Sequence, residues 1–320
     1  MPKKLFFGIM TGTSADGIDV ALVSTQNNSL SIIDSESVSF PTDIQAEIKA
    51  LCQPSTNELY RAHSLGIKLS LICSDIIKSI NKRNMLCSED VSAIGFHGQT
   101  IRHHPDAHPA FSVQIGCPST LAHHTGIKTV ADFRMADIAA GGQGAPLVPA
   151  FHQAMFHSTN KNRLILNIGG ISNISYLPSN KDIHPSGFDT GPGNTLLDEW
   201  IFKHQEKHYD TEGSWAKTGN VIIALLEDMM SDSYIIKSAP KSTGKEHFNL
   251  PWLERLISIV EEENAPLLPQ DVQATLLALT IQAIKISLEP KFNIKQLIVC
   301  GGGVHNTHLM AELVNNLPNT

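Results

Sequence analysis

The 320 residues carry a formal charge of −7 and are 42% hydrophobic, enough for two lobes with cores of their own. The acidic balance excludes a partner bound through its phosphate backbone, since that affinity is built from lysine and arginine. Met1-Pro2-Lys3-Lys4 leads into only six apolar or glycine residues, too few for a secretory core, and no stretch approaches the ~18 apolar residues of a membrane-spanning helix.

In chain order, the first signal is a glycine turn between apolar strands. Leu5-Phe6-Phe7-Gly8-Ile9-Met10 enters Gly12-Thr13-Ser14-Ala15-Asp16-Gly17-Ile18-Asp19, and Val20-Ala21-Leu22-Val23 leaves it. Amides in such a turn can converge on an anion because no Cβ blocks the approach, and Ser and Thr hydroxyls add donors. Asp16 and Asp19 are candidates to orient magnesium through water, with Asx-turn stabilisation the competing role for Asp16. A third strand follows through Leu30–Asp34 towards Val38-Ser39-Phe40, and helical periodicity appears at Leu65, Ile67, Leu69, Ile72, Ile76 and Ile77.

Val91–Phe96 reads as a buried strand ending at His97-Gly98-Gln99-Thr100, where polar side chains emerge at a sheet edge and can meet substrate. A satisfied structural histidine is the alternative for His97. His103-His104 and His108 form a solvated loop rather than a metal site, and so do His123-His124; neither cluster is completed by a second one. Five cysteines, Cys52, Cys73, Cys87, Cys117 and Cys300, contain no C-x-x-C pair and fit a reduced cytoplasm. Arg134 and Asp137 either form an ion pair at helical spacing or present donors and acceptors to a sugar. The Gly141-Gly142-Gln143-Gly144 run favours the second, because it cannot continue a helix.

About half the chain later the pattern returns. Leu164–Ile168 enters Gly169-Gly170-Ile171-Ser172-Asn173, and Ile174–Leu177 leaves it, so that two such turns facing each other would clamp a polyphosphate. Gly187-Phe188-Asp189-Thr190-Gly191-Pro192-Gly193-Asn194 places an aspartate at a strand end just before a helix. Asp189 is then a general base or a helix cap; Asn194 is better placed to cap, which leaves Asp189 without a structural task. Lys241-Ser242-Thr243-Gly244 lacks the first glycine and the spacing of a P-loop and reads as lobe packing first and nucleotide contact second. A helix from about Asp271 to Leu288 precedes the strand Leu297–Cys300, which opens into Gly301-Gly302-Gly303 and then His305-Asn306, three glycines that would let a flat base or ribose approach.

These motifs resemble the actin, sugar-kinase and Hsp70 superfamily. Within it, G-T-S-A-D-G-I-D, G-F-H-G-Q-T-I-R-H, V-A-D-F-R-M-A-D-I-A-A-G-G-Q-G-A-P-L-V-P, G-F-D-T-G-P-G-N and K-S-T-G-K-E-H-F-N-L-P-W-L are similar to the anhydro-N-acetylmuramic acid kinase family. The resemblance implies a two-lobed α/β fold built from a duplicated, ribonuclease H-like β-β-β-α-β-α unit, with lobes at 1–130 and 131–320. It implies Asp189 as base and ATP with Mg²⁺ as cofactors. Nucleotide contacts would come from Gly12, Thr13, Ser14, Ala15, Asp16, Gly17, Ile18, Asp19, Asn167, Gly169, Gly170, Gly191, Gly193, Asn194, Gly301, Gly302, Gly303 and Asn306. Sugar contacts would come from His97, Gly98, Gln99, Thr100, Arg134 and Asp137. It also implies a cytoplasmic homodimer. The family continues beyond the last strand and helix with a returning segment that this sequence, ending at Thr320, lacks.

Overall fold

Burial alternates along Gly17–Gln26, with Ile18, Val20, Leu22 and Ser24 turned inward, and that period of two is why the segment is a strand with one face on a core. The computed structural model describes residues 3–12, 15, 17–27, 29–263, 265–288 and 292–317. The chain separates into two compact units, Met1–Gly144 and Ala145–Thr320.

The first unit opens with β1 (Lys4–Met10), β2 (Gly17–Gln26) and β3 (Ser29–Ser39), followed by α1 (Thr42–Leu51), α2 (Glu58–Arg83) and β4 (Val91–Phe96). A hairpin of β5 (Gln99–His104) and β6 (Phe111–Ile115) comes next, then α3 (Pro118–Thr125), β7 (Thr129–Ala131) and α4 (Phe133–Ala139). The main sheet has the order β3-β2-β1-β4-β7, antiparallel through β1–β2–β3 and parallel from β1 to β4 and β7. Two expectations change here. His103 and His104 lie in β5, paired with Ser112 and Phe111, and His123-His124 lie on α3. The unit also runs past residue 130, because β7 completes its sheet and Arg134 on α4 bonds back to His97.

The second unit begins with α5 (Pro149–Phe156) and repeats the three-strand opening in β8 (Arg163–Ile168), β9 (Ile171–Leu177) and β10 (Ser186–Pro192). After α6 (Thr195–Gln205), α7 (Ile223–Met230), α8 (Ser233–Ile236), α9 (Leu250–Glu263) and α10 (Pro269–Ser287), strand β11 (Gln296–Cys300) precedes α11 (Thr307–Asn316). The sheet order is β10-β9-β8-β11, with β11 parallel to β8. In each unit the first three strands are antiparallel and a fourth returns parallel beside the first, which is the duplicated α/β arrangement expected from the sequence. Asp189 sits inside β10 rather than at its end, since the strand continues through Pro192. Helix α10 is buried nearly all round from Val272 to Ile284, as a helix through the middle of a core must be, and reaches solvent only in its last turn at Lys285 and Ile286. Its Thr280 hydroxyl donates to the Gly193 carbonyl at 3.1 Å, which ties that core helix to the turn after β10.

The core of the first unit closes over a backbone contact between α2 and the segment before α3. A Cβ at Gly66 would lie 2.9 Å from Gly116 N, with no flexible side chain to yield. Gly66→Val should therefore destabilise this unit by about 1–3 kcal/mol through overpacking, read as a lowered urea midpoint with an unchanged m-value. An unchanged midpoint would mean that α2 shifts without cost.

Candidate active site

In the second unit the turn between β8 and β9 is held from below by the start of α6. Gly193 N–H and Thr195 N–H donate to the Gly170 carbonyl at 2.8 and 3.1 Å, and Asn194 N–H donates to the Gly169 carbonyl at 2.8 Å. The turn's acceptors are thus occupied by protein, so what it can offer a ligand is donors. Asn194 does not cap α6: its side-chain amide donates to the Ile168 carbonyl at 3.2 Å, and it serves to join the turn to the helix instead.

The glycines have different reasons to be glycine. At Gly193 a Cβ would collide with the Gly169 carbonyl, at Gly170 it would lie 2.6 Å from Thr195 Oγ1, and at Gly191 it would lie 3.0 Å from Ile235 Cδ1. Gly301, at φ +88°, approaches Asn167 Oδ1 and the Ile168 carbonyl, while Gly303 packs on the Ile168 side chain. Those positions are fixed by packing of the chain on itself. Gly169 and Gly302 have room: a Cβ at Gly169 would make ordinary contacts at 3.4 and 3.6 Å, and one at Gly302 would meet only Asn194 Nδ2 at 3.8 Å. Packing gives Gly301 and Gly303 a reason to be glycine besides the approach of a nucleotide, and Gly302 is the open member of the run. Asn306 caps α11 by accepting from Leu309 N–H at 2.9 Å. Near the turn, the Thr195 hydroxyl is buried and has no hydrogen-bond partner among the described residues. Gly169 and Gly302 are the positions of these two runs at which the backbone leaves space beside it.

Asp189 is 6% exposed. Contrary to the sequence reading, it has structural ties. Thr243 N–H donates to its Oδ2 at 3.0 Å, its own N–H donates to the Lys241 carbonyl at 3.1 Å, and the Tyr234 hydroxyl donates to its carbonyl at 2.8 Å. Lys241, in a segment read from the sequence as lobe packing first and nucleotide contact second, is 3% exposed and places its ammonium on the carbonyls of Tyr234 and Ile235 at 3.1 and 3.0 Å. Burial pulls that ammonium down to about 8, while the charge of Asp189 acts in the opposite direction. No spacing in the sequence links residue 189 to residues 234, 241 and 243.

In the first unit, Ala15 N–H closes the turn after β1 on the Gly12 carbonyl at 3.1 Å; Thr13, Ser14 and Asp16 lie outside the described residues. Ala15 is buried with φ 60°, and Gly17 is pressed against the Val38 carbonyl of β3, next to the buried Ile18. Asp19 accepts from Ser37 Oγ at 2.6 Å. Among the described residues, no group of three or more His, Cys, Asp or Glu could hold a metal.

The segment after β4 bends back onto the same turn. Gln99 Nε2 donates to the Gly12 carbonyl at 3.2 Å and Thr11 Oγ1 to the Gly98 carbonyl at 2.7 Å, while Gln114 Nε2 reaches Thr100 Oγ1 at 3.2 Å. Arg134 and Asp137 both turn to residues of this unit. Arg134 donates through Nε to His97 Nε2 at 2.9 Å and through a terminal nitrogen to the Gly144 carbonyl at 2.8 Å, and Asp137 accepts from Gly144 N–H at 2.7 Å. His97, Gln99, Arg134 and Asp137 therefore form one hydrogen-bonded cluster with the Gly12 and Gly144 turns, a polar frame of the kind that can orient sugar hydroxyls or a carboxylate.

Burial, with the Arg134 guanidinium adding to it, pulls the His97 imidazole down to about 4 from 6.5. The unfolded chain therefore binds this proton more readily between those values, and the stability held by neutral His97 is present above 6.5 and lost as pH falls towards 4. The ¹H–¹³C NMR titration of His97 should have its midpoint near 4 and move upward in Arg134→Ala. A wild-type midpoint near 6.5 would overturn the burial of His97, and a midpoint unmoved in Arg134→Ala would remove the guanidinium as a cause.

Comparison with known proteins bears on the whole chain. Residues 4–320 match the family model described as Anhydro-N-acetylmuramic acid kinase. The protein of that name from Saccharophagus degradans is 45% identical over 322 residues, covering 99% of this chain and 85% of the relative. That of Pasteurella multocida is 46% identical over 316 residues, covering 98% of this chain and 82% of the relative. Among solved structures, a ROK hexokinase from Thermus thermophilus aligns with a TM-score of 0.39 at 11% identity, covering 98% of this chain and 87% of the other. That likeness is too distant to bear on the assignment. With a family match that spans both units and every motif discussed above, the chain belongs to the anhydro-N-acetylmuramic acid kinase family.

Proposed function

We propose that this sugar kinase opens 1,6-anhydro-N-acetylmuramic acid with water and phosphorylates the 6-oxygen released, giving N-acetylmuramic acid 6-phosphate in the recycling of cell-wall sugars. The observation that carries the reading is Asp189: a buried carboxylate with one oxygen held by a backbone amide, in the same unit as a glycine turn with room for phosphate. An oriented carboxylate in a dry setting is suited to take a proton from water. Water oxygen bonds to the anomeric carbon, its proton passes to Asp189, and the bond from that carbon to the bridging oxygen breaks. The released 6-oxygen then takes the phosphoryl group as the bond from the γ-phosphorus to the oxygen of the departing ADP breaks.

ATP, when bound, supplies the γ-phosphoryl group, with Gly169, Gly170, Gly302 and Thr195 proposed to hold its phosphates. Mg²⁺ is proposed to accompany it, oriented through water by Asp19 and Asp16, and no step above depends on how it is held. The frame of His97, Gln99, Arg134 and Asp137 is assigned to the sugar, with the Arg134 fork suited to its lactyl carboxylate. Cytoplasmic location and a homodimeric state belong to the same proposal.

Asp189→Asn keeps an acceptor for Thr243 N–H but cannot take a proton, so kcat should fall at least ~10²-fold with ATP affinity kept. Near-native turnover in a folded Asp189→Asn protein would return Asp189 to a structural role. Turnover in ¹⁸O-water should place label on the C1 hydroxyl and none on phosphate, measured quickly because reducing sugars exchange that oxygen with solvent. Label in phosphate with the anhydro-sugar intact would identify a nucleotide hydrolase instead. Label in neither product would point to a kinase for an already opened sugar.

A further inference from the structure

The ties of Asp189 form a closed ring. Its N–H donates to the Lys241 carbonyl at 3.1 Å, the Lys241 ammonium donates to the Tyr234 carbonyl at 3.1 Å, and the Tyr234 hydroxyl donates to the Asp189 carbonyl at 2.8 Å. The ammonium also lies 4.8 Å from the centroid of the Tyr234 ring. Asp189, Tyr234 and Lys241 are each less than 10% exposed, so the ring is shielded from competing water. Two residues beyond Lys241, the Thr243 amide meets the carboxylate itself at 3.0 Å.

The other side of the ring is fixed as well. Asp232 accepts from Tyr234 N–H at 2.8 Å, from Trp252 Nε1 at 3.0 Å, and is paired with His247 Nε2 at 3.0 Å. Tyr234 is thereby held by its backbone on Asp232 and by its hydroxyl on β10. A buried lysine whose ammonium bonds two carbonyls at the end of a four-residue helix is costly to desolvate, and loop packing alone would be served better by an apolar side chain.

We propose that Lys241 and Tyr234 are positioning residues for the catalytic base: the ammonium anchors segment 241–243 so that the Thr243 amide orients the Asp189 carboxylate, and the Tyr234 hydroxyl fixes the backbone from which that carboxylate projects. The proposal rests on Asp189 being the base. The charged groups that act on Lys241 are Asp189 and Lys237, and Asp232 with His247 lies on the same ring through Tyr234.

Removing a cation beside a carboxylate favours its protonated form, so Lys241→Met should move the acid limb of kcat/KM against pH upward. It should also lower kcat about tenfold or more, with KM for ATP and for the anhydro-sugar changed less than about twofold, because what is lost is orientation at the reacting centre. Tyr234→Phe should lower kcat about threefold with the same indifference of KM. A folded Lys241→Met enzyme with native kcat and an unmoved acid limb would overturn the proposal. If Lys241→Met does not fold, native kcat in Tyr234→Phe would overturn it equally. Asp189→Asn, assayed in parallel, separates the two readings. If it is near native, Asp189 is not the base and the function proposal fails. If it is inactive while the ring variants are native, only the ring proposal fails.

Discussion

Three amides at the start of α6, those of Gly193, Asn194 and Thr195, close on the two carbonyls of the Gly169-Gly170 turn, and the second unit is organised around that closure. It forces glycine at 193, since a side chain there would meet the Gly169 carbonyl, and it brings the end of β10 over the β8–β9 hairpin. Through Thr280 the same turn is fastened to α10, the most buried helix of that unit's core. The turn proposed to hold phosphate is therefore supported by the long buried helix beside it. Distortion of the turn would have to displace core side chains packed at near-crystalline density.

Much of this was legible in the sequence because strand periodicity and glycine turns are local signals. Both opening hairpins, the strand at Val91–Phe96 and the helix through Trp200 fall where alternation and helical spacing put them. The strand carrying Asp189 was only half legible: Gly-Phe-Asp-Thr-Gly-Pro is poor in β-forming residues, and it pairs because β9 offers partners on both sides of an irregularity at Thr190. The β5–β6 hairpin was hidden for a similar reason, since Arg102, His103 and His104 read as a polar loop until Ser112 and Phe111 lie opposite them.

The site divides in the same way. His97, Gln99, Arg134 and Asp137 were each visible as polar groups at an element end or beside a glycine run, although the bonds among them were not. Lys241 and Tyr234 carried no signal, because burial converts an ordinary lysine and tyrosine into parts of a network, and burial depends on contacts some 50 residues away in sequence. Glycine was the least discriminating signal. Gly193, Gly301 and Gly303 are required by the chain's own close approaches, whereas Gly169 and Gly302 leave space, and no residue letter distinguishes the two cases.

Under the proposed assignment of this frame to the sugar, the imidazole of His97 has a consequence for how a charged ligand would be recognised. Its Nδ1 lies 2.6 Å from the Gly98 carbonyl, which can only accept, so the proton sits on Nδ1 and the other nitrogen receives the Arg134 Nε–H. The histidine thus contributes orientation and no charge, and a carboxylate arriving at this frame meets the positive charge of Arg134 without a second one from the ring. At long range the Asp137 carboxylate of the same frame offsets that charge, so the attraction acts only at short distance. Discrimination between anions of equal charge falls to the planar shape of the guanidinium fork, which favours a flat carboxylate aligned with it over a spherical ion.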